Sequence, residues 1–151
     1  MTTPEHITTH YADHVRMLKE TWEEALFAED FDSAVVHAGS PLVSFLDDCH
    51  YTFRANPHFL AWLPLTHHPE SVLIFRPGAR PVLYFYQPND YWHCVPDDPE
   101  DWWAEHFDIK IMREPGEWRQ GVPVGREAYL GDAPELEGED DLTPGRLLNR
   151  L

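Results

Sequence analysis

Apolar residues recur at Ile7, Tyr11, Val15, Leu18, Trp22 and Leu26, at spacings of four, four, three, four and four. That rhythm lays one apolar stripe along a helix of about six turns. Thr3-Pro4 marks its start, with Thr as N-cap and Pro at the first helical position. The period then shortens. Ala34 to His37 is a short apolar run closed by Gly39-Ser40-Pro41, which predicts a buried strand. Ser71–Arg76 and Val82–Tyr86 are near-continuous apolar runs around a Pro77-Gly78 turn. They predict an antiparallel hairpin in a sheet covered on both faces. Phe59–Leu63 reads as a buried strand behind an Asn56-Pro57 turn, and Phe107–Met112 as another with Ile109 and Ile111 on one side. Glu127–Gly131 reads as the last strand.

Shorter helices are expected between them. Leu42–Leu46 reads as one that ends in the Asp47-Asp48 pair. Asp98 is placed to cap a second that carries Trp102, Trp103 and Phe107. Pro115 to Trp118 begins a third, and Thr143-Pro144 a terminal one with Leu147, Leu148 and Leu151 on one face. Helices that alternate with strands around one core, without internal repeats, predict a single α/β domain over residues 1–151.

Composition narrows the function. Eleven Lys and Arg stand against 27 Asp and Glu, a net charge of −16. Such a field repels phosphate backbones and anionic membrane surfaces, so neither nucleic acid nor membrane is expected as a partner. No run of 18 apolar residues exists, and no basic segment followed by an apolar one opens the chain. Two cysteines, Cys49 and Cys94, do not suggest a disulfide framework, and the cytoplasm is the natural compartment. Glu135 to Asp141, with five acids in seven residues, reads as a solvated loop.

Catalytic patterns are missing. There is no glycine-rich phosphate loop, no Gly-x-Ser-x-Gly elbow and no Cys-x-x-Cys pair. His6, His10 and His14 share a helix face at i, i+4 spacing but have no Cys or carboxylate partners nearby, so they read as a solvated face. His93 and His106, beside aromatics, read as core or boundary residues. Asp47 and Asp48 are the first candidates for function, because a paired carboxylate at the edge of an apolar block needs water, a donor or a ligand. The alternative is that they cap a short helix or turn.

The stretch Phe45-Leu46-Asp47-Asp48, Tyr51, Phe53, Asn56-Pro57, Phe59 and Ala61-Trp62-Leu63-Pro64 closely resembles the N-terminal domain of bacterial Xaa-Pro dipeptidases (prolidases) and their organophosphorus acid anhydrolase relatives. Phe85-Tyr86, Pro88, Asp90-Tyr91-Trp92-His93 and Trp103 with Phe107-Asp108-Ile109 extend the resemblance. Val36-His37, Ala128-Tyr129-Leu130-Gly131 and Pro144 to Leu151 carry it over essentially the whole chain. It departs at His58, Arg54 and Cys49-His50, and in the acidic stretch from Glu135.

The resemblance implies a three-layer α/β/α creatinase/prolidase N-terminal domain with a mixed central sheet. It implies a following "pita-bread" catalytic domain, beyond Leu151, whose two Asp, one His and two Glu hold a pair of divalent metals, usually manganese. On that expectation this chain has no catalytic residue, metal ligand or cofactor of its own. Its partners would be the catalytic domain, a second subunit in a homodimer, and a dipeptide substrate ending in proline. Asp48 matches a family residue that reaches into the neighbouring subunit's substrate pocket, where it can bind the dipeptide's free amino end. Trp92 matches an aromatic of the same cleft. The competing reading is a free-standing, non-enzymatic interaction module with the same fold.

Overall fold

The computed structural model describes residues 4–46, 49–92, 94–131 and 151. Helix α1 (Glu5–Ala28) is followed by β1 (Ser33–His37), α2 (Pro57–Trp62), β2 (Val72–Phe75) and β3 (Val82–Tyr86). A 3-10 helix (Ala104–His106), β4 (Asp108–Met112), a second 3-10 helix (Glu117–Gly121) and β5 (Glu127–Leu130) complete the order. Among the described residues five strands form one sheet, ordered β4-β3-β2-β1-β5. β2 lies antiparallel to β1 and β3, while β1 with β5 and β3 with β4 pair in parallel. The sheet is therefore mixed, and the fold is the α/β class expected.

Strand alternation sends Ala34, Val36, Leu73, Phe75, Leu83, Phe85, Ala128 and Leu130 into one core with α1 and α2. Val35, Val72, Ile74, Tyr84 and Met112 face the other way, onto Trp118 of the second 3-10 helix. Both faces are covered, which is why β2 and β3 carry almost no polar residues. Along α1, Val15, Trp22 and Leu26 are buried and Tyr11 and Leu18 pack against the same core. Ile7, in the first turn, is exposed. Pro4 occupies the cap position rather than the first helical one, and no side chain caps this end.

Three sequence expectations are corrected. Phe59–Leu63 is not a strand: Pro57–Trp62 is helical, with Asn56 as its cap and Pro57 at its start. Asn-Pro begins this helix, and an unbroken apolar run of five has no period to tell strand from buried helix. Leu42–Leu46 is not a helix. Ser44 N–H donates to Cys49 O (2.8 Å), Tyr51 N–H to Leu42 O (2.8 Å), and Val43 bridges His50 antiparallel. These bonds pair the two sides of the arm, and a helix over Leu42–Leu46 would break them. Asp98 caps no α-helix, because its Oδ1 accepts from Gln87 Nε2 (2.9 Å) and the following segment makes only a 3-10 turn. Trp103 and Phe107 are nonetheless buried.

The histidine face also divides. His6 and His10 are exposed, but His14 is half-buried and its Nε2 donates to Ala61 O (2.6 Å). Beside it Tyr11 donates to Trp62 O (2.5 Å), and burial pushes its phenol well above the ordinary tyrosine range. α1 thus supplies partners to carbonyls at the end of α2 that the helix itself leaves open. The Thr3 cap, the acidic stretch from Glu135 and the Thr143-Pro144 helix start lie outside the described residues.

At the other end of α2, Asn56 Oδ1 accepts from His58 N–H (3.0 Å) while its Nδ2 donates to His37 O (3.2 Å). One side chain starts the helix and ties it to β1. Asn56→Ala is expected to lower stability by about 1–2 kcal/mol, the range for a lost cap. Urea unfolding checks this, and a loss within error of zero would remove the tie from the account.

Candidate functional site

β1, β3, β4 and β5 run in one direction and end at one edge of the sheet, at His37, Tyr86, Met112 and Leu130. Open α/β sheets place ligands and partners outside such carboxyl ends, where connections are free to vary. Two long connections leave this edge, residues 38–71 and 87–107. Each carries large apolar side chains into solvent. Phe45 and Leu46, at the turn of the 42–51 arm, are 85% and 90% exposed. Tyr91 and Trp92 are 91% and 85% exposed, edge to face at 5.2 Å. Singly exposed apolar residues are ordinary; here Phe45, Leu46, Tyr91 and Trp92 stand exposed in two loops that leave one edge.

Of the two residues singled out from the sequence, Trp92 is placed on this edge, its backbone N–H donating to Asp90 Oδ1 (2.8 Å). Asp48 and its neighbour Asp47 lie outside the described residues, between the exposed Leu46 and the exposed Cys49. His93 also lies outside them. Leu46 adopts φ +60°, a left-handed backbone rare for a branched side chain. His106 is half-buried, its ring 5.3 Å from that of Tyr11, at the boundary where the sequence put it.

Behind the edge stand residues that sequence reasoning passed over. His37 ends β1 fully buried, and its Nδ1 accepts from Gly39 N–H (2.9 Å). The other ring nitrogen lies 3.6 Å from Glu70 Oε2, and the ring meets Trp118 edge to face at 6.3 Å. The signal was present in part, since a histidine closes an apolar strand two residues before a glycine. Glu70, at φ +65°, lines a cavity of about 510 Å³ with His50, Tyr86, Asp90 and Arg113. Burial, then Glu70, Asp90 and Glu114, raise the Tyr86 phenol above its ordinary range.

Gln87 is the second residue missed. It is buried where β3 leaves the sheet, and its Nε2 donates to Pro96 O (3.0 Å) and Asp98 Oδ1 (2.9 Å). Its carbonyl accepts from Arg113 Nη1 (2.8 Å). This side chain fixes the connection that follows Trp92. Among the described residues, no group of three or more His, Cys, Asp or Glu is arranged to hold a metal, and no helix is long and apolar enough to cross a membrane. The described residues of the edge offer contact area, carboxylates and aromatic rings.

Residues 9–151 match a family model described as the N-terminal domain of Xaa-Pro dipeptidase. The chain is 38% identical over 152 residues to a Xaa-Pro dipeptidase of Shewanella pealeana, which covers 97% of this chain and 34% of that protein. It is 45% identical over 140 residues to one of Xanthomonas oryzae, covering 91% and 32%. For one of Stenotrophomonas maltophilia the figures are 47% over 130 residues, 85% and 29%. The chain thus spans about a third of the length of the curated relatives it matches.

Proposed function

The chain belongs to the family of Xaa-Pro dipeptidase N-terminal domains, and from that premise we propose that it is the non-catalytic first domain of a cytoplasmic, metal-dependent Xaa-Pro dipeptidase. Its work is to mediate dimerisation and to shape the substrate pocket of the neighbouring subunit. The two divalent metals, usually manganese, belong to the catalytic domain and supply the activated water for hydrolysis. The observation that carries the reading is the pair of exposed loops on the carboxyl edge, with Phe45, Leu46, Tyr91 and Trp92 turned to solvent. Apolar area of this kind is stable in water only at a cost, which a partner surface removes.

In this reading Asp48 holds the substrate's protonated amino end with a charge-assisted hydrogen bond. Trp92 lines the same cleft and limits its length, so that a longer peptide meets a wall. The chain contributes shape and one charge. Bond cleavage happens elsewhere.

The test joins residues 1–151 to a matching catalytic domain. The fusion is expected to hydrolyse Xaa-Pro dipeptides as a dimer. Asp48→Ala is expected to raise KM about tenfold with little change in kcat, the loss of one charged hydrogen bond. Unchanged KM and kcat would take the substrate role from Asp48. A catalytic domain equally active without residues 1–151 would defeat the whole reading.

A further inference from the structure

Gln87 follows the last residue of β3, where the chain leaves the sheet for the loop that carries Tyr91 and Trp92. It is 5% exposed, and its backbone is locked to the end of β4: its N–H donates to Met112 O (2.9 Å) and its carbonyl accepts from Arg113 Nη1 (2.8 Å). Its side chain reaches the other way. Nε2 donates to Pro96 O (3.0 Å) and to Asp98 Oδ1 (2.9 Å), nine and eleven positions on. An amide nitrogen carries two protons, so both bonds form at once. One buried side chain therefore joins the start of the loop to its return.

Prolines stiffen both ends. Pro88 is buried beside Gln87, and Pro96 and Pro99 are half-buried at the return. Between them Asn89–Trp92, Cys94 and Val95 are exposed, and among the described residues no helix or strand lies between Tyr86 and Ala104. A loop of this kind keeps its shape through its own side chains and the closeness of its ends. Trp92 depends on that closure. The bond from its N–H to Asp90 Oδ1 and the ring contact with Tyr91 both lie inside the loop, so neither fixes the indole against the sheet. Without the clasp, the segment would gain conformations and the indole would wander with it.

We infer that Gln87 is a positioning residue for the substrate pocket: by clasping the return of the loop it holds Trp92 where a longer peptide meets the indole, and so sets the preference for dipeptides. The inference rests on the reading that Trp92 lines the neighbouring subunit's cleft. Gln87 acts through Trp92 and not by touching substrate.

Gln87→Met keeps the length of the side chain and removes both donors. Asp98 is exposed and Pro96 half-buried, so water reaches the acceptors left behind and the fold is expected to stand. In the fusion, selectivity is the ratio of kcat/KM for leucyl-proline to that for leucyl-prolyl-glycine. Trp92→Ala and Gln87→Met are each expected to lower it about tenfold, and the double variant no further, because one change acts through the other. The kcat for leucyl-proline is expected to stay within about twofold, whereas a mere loss of folded protein would lower both substrates alike and leave the ratio unmoved. Asp98→Ala, at an exposed position, removes one of the two acceptors and is expected to lower the ratio about threefold. It keeps the test sound if Gln87→Met disturbs the fold. In residues 1–151 alone, the amides of Asn89–Trp92 are expected to exchange hydrogen at least about tenfold faster in Gln87→Met.

A ratio lowered by Trp92→Ala but unchanged in Gln87→Met and Asp98→Ala would overturn the clasp. So would additive losses in the double variant, or amide exchange that stays the same. An unchanged ratio in Trp92→Ala would instead sink the cleft reading, and the specificity role of Gln87 with it, even where exchange is faster.

Discussion

Trp62→Ala is expected to remove about 3–5 kcal/mol of folding stability, the range for emptying a fully buried aromatic site. Trp62 is 0% exposed, with its ring 5.5 Å from Trp22 of α1 and 5.2 Å from Phe75 of β2. It joins both helices to the sheet, so the gap would open on three elements at once. Packed neighbours relax only partly around a lost ring, and the cavity term adds to the lost transfer energy. Domains are stable by only about 5–15 kcal/mol, so the variant would stand close to unfolding at room temperature. Trp62→Phe is expected to be far milder. It keeps most of the contact area and removes an indole Nε1–H that is buried without a hydrogen-bond partner. Urea unfolding of the three proteins measures this. A loss below about 1.5 kcal/mol for Trp62→Ala would mean that α2 can collapse onto the sheet, contrary to the packing described.

Gly131→Ala is expected to cost about 2–4 kcal/mol through backbone strain and overlap together. Gly131 follows β5 at φ +122°, and an added Cβ would stand 2.6 Å from His37 O and 3.1 Å from Asn56 Nδ2. The first of these atoms is backbone in the strand paired with β5, so it cannot swing aside. Relief would come by parting β5 from β1 or by breaking the Asn56 contact that tethers α2. Gly78→Ala is the internal control. Gly78 also has positive φ (+75°), but an added Cβ there meets nothing within 4 Å, so only the strain remains. If the two variants unfold at the same denaturant concentration, the close approach at Gly131 carries no weight.

Both predictions concern the frame that holds the carboxyl edge, and the loops of that edge depend on it. The arm at 42–51 is tied down at its base, through Asn56 N–H to Ala38 O (2.8 Å) and Glu70 N–H to Gly39 O (2.9 Å). A weakened α2 or β5 would therefore loosen the arm as well as the core. A lower yield of active fusion is the expected accompaniment, and urea unfolding separates it from an effect of Asp48→Ala on KM.

The parts legible in the sequence were those where local period and burial agree. The stripe from Tyr11 to Leu26 is long enough for 3.6 residues per turn to be unmistakable, and α1 follows it. Pro77-Gly78 between two apolar runs gives β2 and β3, whose pairing is antiparallel as expected. Trp92 was legible as a residue of a loop beyond a strand. The family was legible too, because its motifs run along the chain through β1, α2, β3, β4, β5 and the loops between them, at spacings that these elements set.

Short elements were not legible. Phe59–Leu63 is apolar at every position, so only the cap geometry of Asn56 and the placement of Trp62 against Trp22 make it helical. Leu42–Leu46 looked like a short helix, yet Leu42, Val43, Phe45 and Leu46 are exposed on an arm that Val43 bridges to His50. The helix expected from Asp98 fails because Gln87, eleven residues earlier, takes the carboxylate.

By itself the sequence determined the α/β class, the long helix, the central hairpin and the net charge of −16. Tertiary structure alone decided which ends of the strands coincide, and so which loops share an edge. It also decided that His37 meets Glu70 across 33 positions, and that the 64–68 turn and 94–103 connection enclose one cavity. The reason is physical: periodicity reports the environment a residue seeks, whereas a site depends on which distant segment supplies it.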